Sequence, residues 1–389
     1  MTTKTFEFYT PTEIRCGQGV LSTLPNAVRE LGLQSVLLVC DPGVVKAGIK
    51  DRAAQILMQA NIPFTVFSDI ESDPTVDSVN AGLVIARSKG SDGVVAIGGG
   101  SVLDAGKAIA LMLTNPGSIQ DYFGVDKAVR AGAPVVAIPT TAGTGSEVTV
   151  WSVLSDTKND VKVNIGSYFN CPRIALLDPE LTVTLPAPIT AATGMDALTH
   201  SIESYVNKNS NLIVEAVAEK SISLIADNLR KAVLQGDNLD ARCNMLVAST
   251  LAGIAFNRVR LGLAHAFALP LGNLFHIPHG LVNAIMLTPV MQFNLPANFQ
   301  YYARVARLFG QPIDGLSLRD AAHQSVVAVQ QLKKDIGLTQ TLADFGLTED
   351  RFDEVIDEAM LSGNIAVNPR SPTRDDMRNL LTQAMKGDV

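Results

Sequence analysis

The residues of this chain whose types and spacing could do chemistry begin with Asp196 and His200, in the stretch ATGMDALTHSIESY from Ala192 to Tyr205. On a helix, residues four apart lie on one face, one turn from each other. A carboxylate and an imidazole so placed could hold a metal ion, work as an acid–base pair, or only hydrogen-bond to each other. The chain has five histidines, His200, His265, His276, His279 and His323, and three of them fall in GLAHAFALPLGNLFHIPHG. Four of the five therefore gather between positions 200 and 279, which favours the metal. One carboxylate with three imidazoles suits Fe2+ or Zn2+ with a coordination position left open for a substrate. His323, in LRDAAHQSVV, reads as an ordinary helix histidine.

Two glycine-rich segments offer a different chemistry. VVAIGGGSVLDAGKAIA reads as strand, tight turn and helix. Gly98, Gly99 and Gly100 would let the backbone approach a phosphate, and the free N–H groups of a helix N-terminus would bind it. Ser101 is expected to cap that helix. The spacing is not G-x-G-x-x-G, so a turn without a ligand stays open at this point. A second loop, IPTTAGTGSE at 138–147, also follows a strand. Loops of this kind at strand C-termini lie where open α/β sheets bind ligands. Asp41 ends the strand SVLLVC. A carboxylate there accepts from both ribose hydroxyls and repels a 2′-phosphate, favouring NAD over NADP. The alternative is that Asp41 only starts the next helix, before Pro42.

These groups must be positioned by two kinds of architecture. In the first half, the apolar runs SVLLVC (35–40), PFTVFS (63–68), GVVAIGG (93–99) and APVVAIP (133–139) alternate with helical stretches, predicting a parallel sheet with crossover helices. From Pro186 on, long Ala- and Leu-rich segments at helical period dominate. The expected organisation is an α/β domain over residues 1–184 and an all-helical domain over 185–389, joined at LTVTLPAP.

A chain of 389 residues favours two domains. With 47% hydrophobic and 18% charged residues it can fill its cores. A net charge of −7 and the lack of any Lys/Arg run argue against nucleic acid as a partner. No apolar run reaches membrane-spanning length. MTTKTFEFYTP has no apolar core, so no signal peptide is expected. Cys16, Cys40, Cys171 and Cys243 are scattered without a CxxC, as in a cytoplasmic protein with reduced thiols.

The segments GGGSVLDAGK, PTTAGTGSE, ATGMDALTHSIE and LGLAHAFALPLGNLFHIPHGLVNAI together resemble the iron-containing (group III) alcohol dehydrogenases. The resemblance runs from the first strand to Asn368–Arg370. It implies a Rossmann-like N-terminal domain and a helical C-terminal one, as in the dehydroquinate synthase-like architecture, with an active site in the cleft between them. It implies Asp196, His200, His265 and His279 as ligands of Fe2+, with Zn2+ an alternative. It implies NAD(H) held by Asp41, Gly98, Gly99, Gly100, Ser101, Asp104, Thr140, Thr141, Thr144, Thr149 and Lys162. A small alcohol or aldehyde would be the substrate, in a pocket including Trp151, Phe256 and Arg260, and the assembly would be a dimer or larger.

The chain departs from the family pattern in three places. Leu269 stands where many members carry a further histidine assigned to proton relay, which leaves His276 or water for that role. Trp151, the chain's one tryptophan, replaces a small or polar residue and would narrow the nicotinamide pocket. Arg258 and Arg260 replace neutral residues. On a helix they would point about 200° apart, so one at most faces the substrate. Arg260 is the choice, five residues before His265, with an anionic semialdehyde or hydroxy acid as the ligand it implies. Two other readings compete. A metal- and NAD-using cyclase of the dehydroquinate synthase type would need several basic residues around a polyhydroxy phosphate, and no such set is seen. A non-catalytic NAD-binding protein would show no metal-dependent turnover.

Overall fold

Four of the apolar runs become neighbours in one sheet, and the strands of all but PFTVFS are buried throughout, as strands covered on both faces need Val, Ile and Leu. The computed structural model describes residues 5–159 and 161–387. They divide into two compact units, Phe8–Leu185 and Pro186–Val389 with the described part of Met1–Glu7.

Among its described residues the Phe8–Leu185 unit holds nine strands: β1 Glu13–Cys16, β2 Val36–Val39, β3 Phe64–Phe67, β4 Gly93–Gly98, β5 Gly124–Val125, β6 Val135–Pro139, β7 Trp151–Asp156, β8 Val161–Gly166 and β9 Ile174–Leu177. Its helices are α1 Leu24–Glu30, α2 Pro42–Lys46, α3 Ile49–Gln59, α4 Val76–Ser88 and α5 Gly100–Thr114. Six strands form a sheet in the order β1-β9-β6-β4-β2-β3, and every pairing in it is parallel. Successive strand residues alternate between two cores. Leu37, Val39, Val94, Ala96, Val135 and Ala137 pack with residues of α4 and α5. Val36, Leu38, Val95, Ile97, Val136 and Ile138 pack with residues of α1 and α3.

The strand order contains a switch. From β2 the chain continues outward to β3, whereas from β4 it continues the opposite way to β6. Connections leaving adjacent strands in opposite directions open a crevice at the strands' C-terminal ends. The pairing of Val39 with Ala96 brings the residues that follow both strands, Asp41 and the glycine turn, to that crevice. The three-stranded sheet β5-β8-β7 lies outside this alternation, with β7 and β8 antiparallel.

The second unit contains ten helices among the described residues: α6 Ala187–Val206, α7 Leu212–Leu234, α8 Leu239–Val259, α9 Leu263–Phe275, α10 His279–Asn294, α11 Phe299–Leu308, α12 Leu318–Asp335, α13 Phe352–Met360, α14 Asn364–Val367 and α15 Arg374–Lys386. One core joins Leu263, Phe267 and Leu271 of α9 with Val282, Met286 and Val290 of α10 and residues of α13 and α15. No helix among the described residues is long and apolar enough to cross a membrane.

Candidate functional site

Helix α6 is buried almost without interruption from Gly194 to its end, although it carries an aspartate, a histidine and a glutamate there. Asp196, His200 and Glu203 are each no more than 4% exposed. Their spacing puts them on one face of the helix. Small residues on α6 let other helices approach closely. Where Gly194 stands, a Cβ would come within 2.2 Å of Leu229 on α7.

Two further helices complete the cluster. His265, near the start of α9, stacks on His200 with ring centroids 4.6 Å apart. The His200 ring also meets Phe256 of α8, with centroids 4.6 Å apart. His279 is the first residue of α10, after Pro278. That helix end can reach α6 because the next residue is Gly280. A Cβ there would lie 2.6 Å from the carbonyl oxygen of Ala192, and backbone cannot yield.

One ligand atom from each of Asp196, His200, His265 and His279 lies within 4.8 Å of all the others. From Asp196 Oδ1 the distances are 3.8 Å to His200 Nε2, 3.6 Å to His265 Nε2 and 3.7 Å to His279 Nε2. A tetrahedral shell with bonds of about 2.0–2.2 Å has edges of about 3.3–3.6 Å, so these distances suit a single small cation. Three of the side chains are buried, whereas that of His279 is 52% exposed, leaving the cluster open on one side.

The hydrogen bonds point the same way. Asn283 Nδ2 sits 2.7 Å from Asp196 Oδ1, 2.9 Å from His265 Nε2 and 3.2 Å from His279 Nε2. An amide nitrogen has two protons: it cannot serve all three as acceptors, and wherever an imidazole nitrogen is itself protonated it meets a second donor. The reversed amide would set its oxygen against the carboxylate. Asn283 Oδ1 meanwhile is buried without a hydrogen-bond partner. A cation shared by the four ligand atoms relieves the mismatch, so the donor set fits a divalent metal.

Charge is balanced within the cluster. Burial opposes ionisation of Asp196, but His200, His279 and His265 outweigh it and hold the carboxyl well below the usual range. For His265, burial disfavours the imidazolium, but Glu203 and Asp196 outweigh that and its pKa is pushed up to about 9. Glu203 Oε2 lies 2.7 Å from His265 Nδ1. A carboxylate oxygen only accepts, so Nδ1 carries a proton and Nε2 faces the cluster. Among the histidines outside the cluster, His276 and His323 are both exposed.

In the other unit, Asp41 follows β2 and its Oδ1 caps α2, accepting from Val44 N at 2.8 Å. Gly98 ends β4, and α5 begins at Gly100 with Gly99 as its N-cap. Ser101 therefore does not cap this helix as expected. It is already one residue inside, and its hydroxyl donates to the Ser72 carbonyl instead. Gly100 packs on Thr144, so the two glycine-rich loops touch. Thr140 and Thr149 are buried, Thr141 and Thr144 partly exposed. Asp104 accepts from Ser146 Oγ at 2.5 Å and Val153 N at 2.9 Å, and it pairs with Lys107 at 3.0 Å. Its oxygens are thus engaged in holding the second loop. Lys162 Nζ lies 3.0 Å from Asp73 Oδ1. Trp151 lies across the β7–β8 pair over Gly166, where a Cβ would come within 2.3 Å of the indole.

Arg258 and Arg260 do not share a helix as expected. Helix α8 ends at Val259, and Arg260 takes φ 69° and ψ −171°. The cause lies in the following residues: Asn207 Nδ2 reaches the carbonyls of Arg260 and Leu261 (3.4 and 3.2 Å), and Gly262 N donates to Glu203, which turns the chain out of the helix. The Arg260 guanidinium lies against Gly363. Leu269, one turn after His265, is 43% exposed. The free cysteines are poor nucleophiles where buried: burial pushes Cys40 up to about 11 and Cys171 up to about 12. Two residues around the cluster escape sequence reasoning, Glu203 and Asn283. Helical spacing from His200 and from His279 was the available signal for them.

Comparison with known proteins gives a consistent result. Residues 11–179 match the family model described as iron-containing alcohol dehydrogenase, and residues 190–385 match that of the Fe-containing alcohol dehydrogenase family, C-terminal. The chain is 41% identical to 1,3-propanediol dehydrogenase of Citrobacter freundii, over 99% of its own length and 100% of the relative's. It is 34% identical to the NAD-dependent methanol dehydrogenase of Bacillus methanolicus, over 97% and 99% of the two chains. Among solved structures, a 1,3-propanediol oxidoreductase superposes with a TM-score of 0.96 at 40% identity, covering 98% of this chain and 100% of that one.

Metal binding through His265 would depend on pH. With Nδ1 committed to Glu203, the proton on Nε2 must leave before that nitrogen can become a ligand. A pKa raised to about 9 means the proton is held tightly and competes with the metal at neutral pH. Apparent Co2+ affinity of the metal-free protein is expected to rise about tenfold per unit between about pH 6.5 and 8.5. Competition against a chromophoric chelator across this range checks it, and a flat profile would contradict it.

Proposed function

We propose that this chain, which belongs to the iron-containing alcohol dehydrogenase family, interconverts a small alcohol and its aldehyde, with NAD(H) as coenzyme and a divalent metal held by Asp196, His200, His265 and His279. The observation that carries the reading is the convergence of those four ligand atoms around an amide that cannot satisfy them. When bound, the metal supplies Lewis acidity toward the substrate oxygen, and the nicotinamide supplies or takes the hydride.

The chain's own residues bind, orient and neutralise. Asp196 contributes the charge of the cage, and Phe256 fixes the plane of His200 by stacking. The N-terminus of α5, opened by Gly98–Gly100, offers backbone N–H groups to a pyrophosphate. Ser101, Thr140, Thr141, Thr144, Thr149 and Lys162 line the same two loops and β8, and Asp104 holds the loops in place. Asp41 keeps one carboxylate oxygen on Val44 N and presents the other for a ribose. Leu269 brings no proton, so we assign proton exchange to the exposed His276, three residues before His279. The cyclase alternative has lost its ground, since both family models describe alcohol dehydrogenases. We take Fe2+ as the metal, with Zn2+ able to replace it, and place the protein in the cytoplasm as a dimer or larger.

A specific observation bears on substrate charge. Arg260 is an exposed residue that makes no ion pair among the described residues, on the loop that leads into His265. We assign it a short anionic semialdehyde or hydroxy acid, whose acid group it would bind bidentately.

Removing one imidazole leaves the cage incomplete. His265→Ala is expected to lose bound metal and turnover while still binding NADH by fluorescence titration. Full activity of the metal-free wild type toward an aldehyde panel would reject the reading.

At Asp41, like charges would oppose a 2′-phosphate by several kcal/mol. The wild type should use NADH far better than NADPH, and Asp41→Gly should narrow the gap in kcat/KM. Glycine is chosen because it costs a helix cap only about a few tenths of a kcal/mol. Equal use of both coenzymes by the wild type would refute the assignment.

Arg260→Leu should raise KM for anionic semialdehydes by the equivalent of about 1.5–3 kcal/mol, the worth of a charged hydrogen bond, and leave propanal unaffected. A wild type that prefers neutral aldehydes from the start would refute the anion site.

A further inference from the structure

We propose that Glu203 is the positioning residue of this centre: it fixes the tautomer and the direction of His265 and thereby sets the protein's affinity for its metal. The inference rests on the reading of Asp196, His200, His265 and His279 as ligands.

Glu203 lies on α6 three residues after His200 and seven after Asp196, so one helix face carries two ligands and the support of a third. It is 3% exposed. Its Oε2 accepts from His265 Nδ1 at 2.7 Å and from Gly262 N at 2.8 Å, and its Oε1 accepts from Ala264 N at 2.7 Å. Three N–H groups thus fix both oxygens in place. The loop is shaped for this contact, since a Cβ at Gly262 would stand 2.8 Å from Glu203 Oε1. No side chain of the loop itself caps α9. Glu203 does so from α6, and the capped turn is the one that carries His265.

The chemical consequence follows from what each atom can do. Carboxylate oxygens accept only, so Nδ1 must be the protonated nitrogen and Nε2 must present its lone pair to the cluster. A carboxylate behind a ligating imidazole also raises its basicity, and loss of such a partner lowers metal affinity by about 10–100-fold. Gln at this position keeps the shape. However, its amide nitrogen must face either a backbone N–H or the imidazole N–H, so one donor meets another.

The expected result for Glu203→Gln is a loss of about 10–100-fold in Co2+ and Zn2+ affinity, read by chelator competition, with a changed Co2+ absorption spectrum and unchanged NADH binding. A role limited to capping α9 predicts something else. Asn368 Oδ1 holds the neighbouring Leu263 N at 3.3 Å without touching His265. Asn368→Ala should therefore keep metal affinity within about twofold of wild type. Equal losses from Glu203→Gln and Asn368→Ala overturn the proposal. So does wild-type affinity in Glu203→Gln. Should that variant fail to fold, 15N NMR of the histidines in the Zn2+-loaded wild type decides, since a protonated Nδ1 on His265 is expected and a protonated Nε2 overturns it. A wild type that binds neither Co2+ nor Zn2+ would overturn the metal reading itself, whereas metal binding indifferent to Glu203 overturns only this inference.

Discussion

Burying Asp196 is the constraint on which the helical unit is built. An ionised carboxylate shut away from water costs several kcal/mol unless it is paired and hydrogen-bonded. Here three imidazoles and an amide converge on it, and a second carboxylate, Glu203, stands behind one of the imidazoles. With the imidazoles neutral the centre carries two formal negative charges, which a divalent cation matches. Without a cation, the proton that His265 retains up to about pH 9 supplies part of the balance. The packing follows from the same constraint. Gly194 lets α7 close over α6, Gly280 lets α10 bring His279 to Asp196, and Gly262 lets Glu203 reach the start of α9.

The α/β unit solves its problem with the main chain instead. Its candidate ligand site needs N–H groups and space, which a glycine turn at the head of a helix provides wherever a strand order reverses. Two side chains serve there as scaffolding. Lys107 is fully buried and donates to the carbonyls of Ser146 (3.1 Å) and Trp151, while Asp104 takes Ser146 Oγ and Val153 N. A single turn of α5 thus ties down the second glycine-rich loop and the start of β7. Asp104 and Lys107 thereby act on the loops rather than from within them.

This difference explains what could be read from the sequence. Strands of the central sheet are legible because they are buried on both faces and remain apolar throughout, as in GVVAIG. The glycine turn is legible because three consecutive glycines after an apolar strand mark a tight turn by composition alone. Asp196 and His200 are legible because they share a helix, and His265 and His279 because histidine is rare here. The rest depends on contacts between distant segments. The edge strand β1, EIRC, is largely exposed and has no alternating signal. The β5-β8-β7 sheet falls outside the strand–helix rhythm. Ser101 misses the cap because the glycine turn tightens one residue earlier. Arg260 leaves the helix because Asn207 and Glu203, more than fifty residues upstream, take hold of the chain around it. Glu203 stood in plain view beside His200, yet its partner is reached only when α9 folds against α6.

The exposure of the four ligands carries a last consequence. Asp196, His200 and His265 are buried, whereas His279, on a helix end behind a proline, has half its side chain toward solvent. In the proposed centre the buried donors would fix the coordination number, and the open flank would give a substrate its access. One oxygen and three nitrogen donors accept Fe2+ and Zn2+ alike, so the fold selects for charge and shape rather than for an element. What the two ions share is Lewis acidity without any need to change oxidation state. Hydride transfer to or from a nicotinamide asks for just that, since the electron pair travels between coenzyme and substrate carbon, and the protein need only stabilise charge on the neighbouring oxygen.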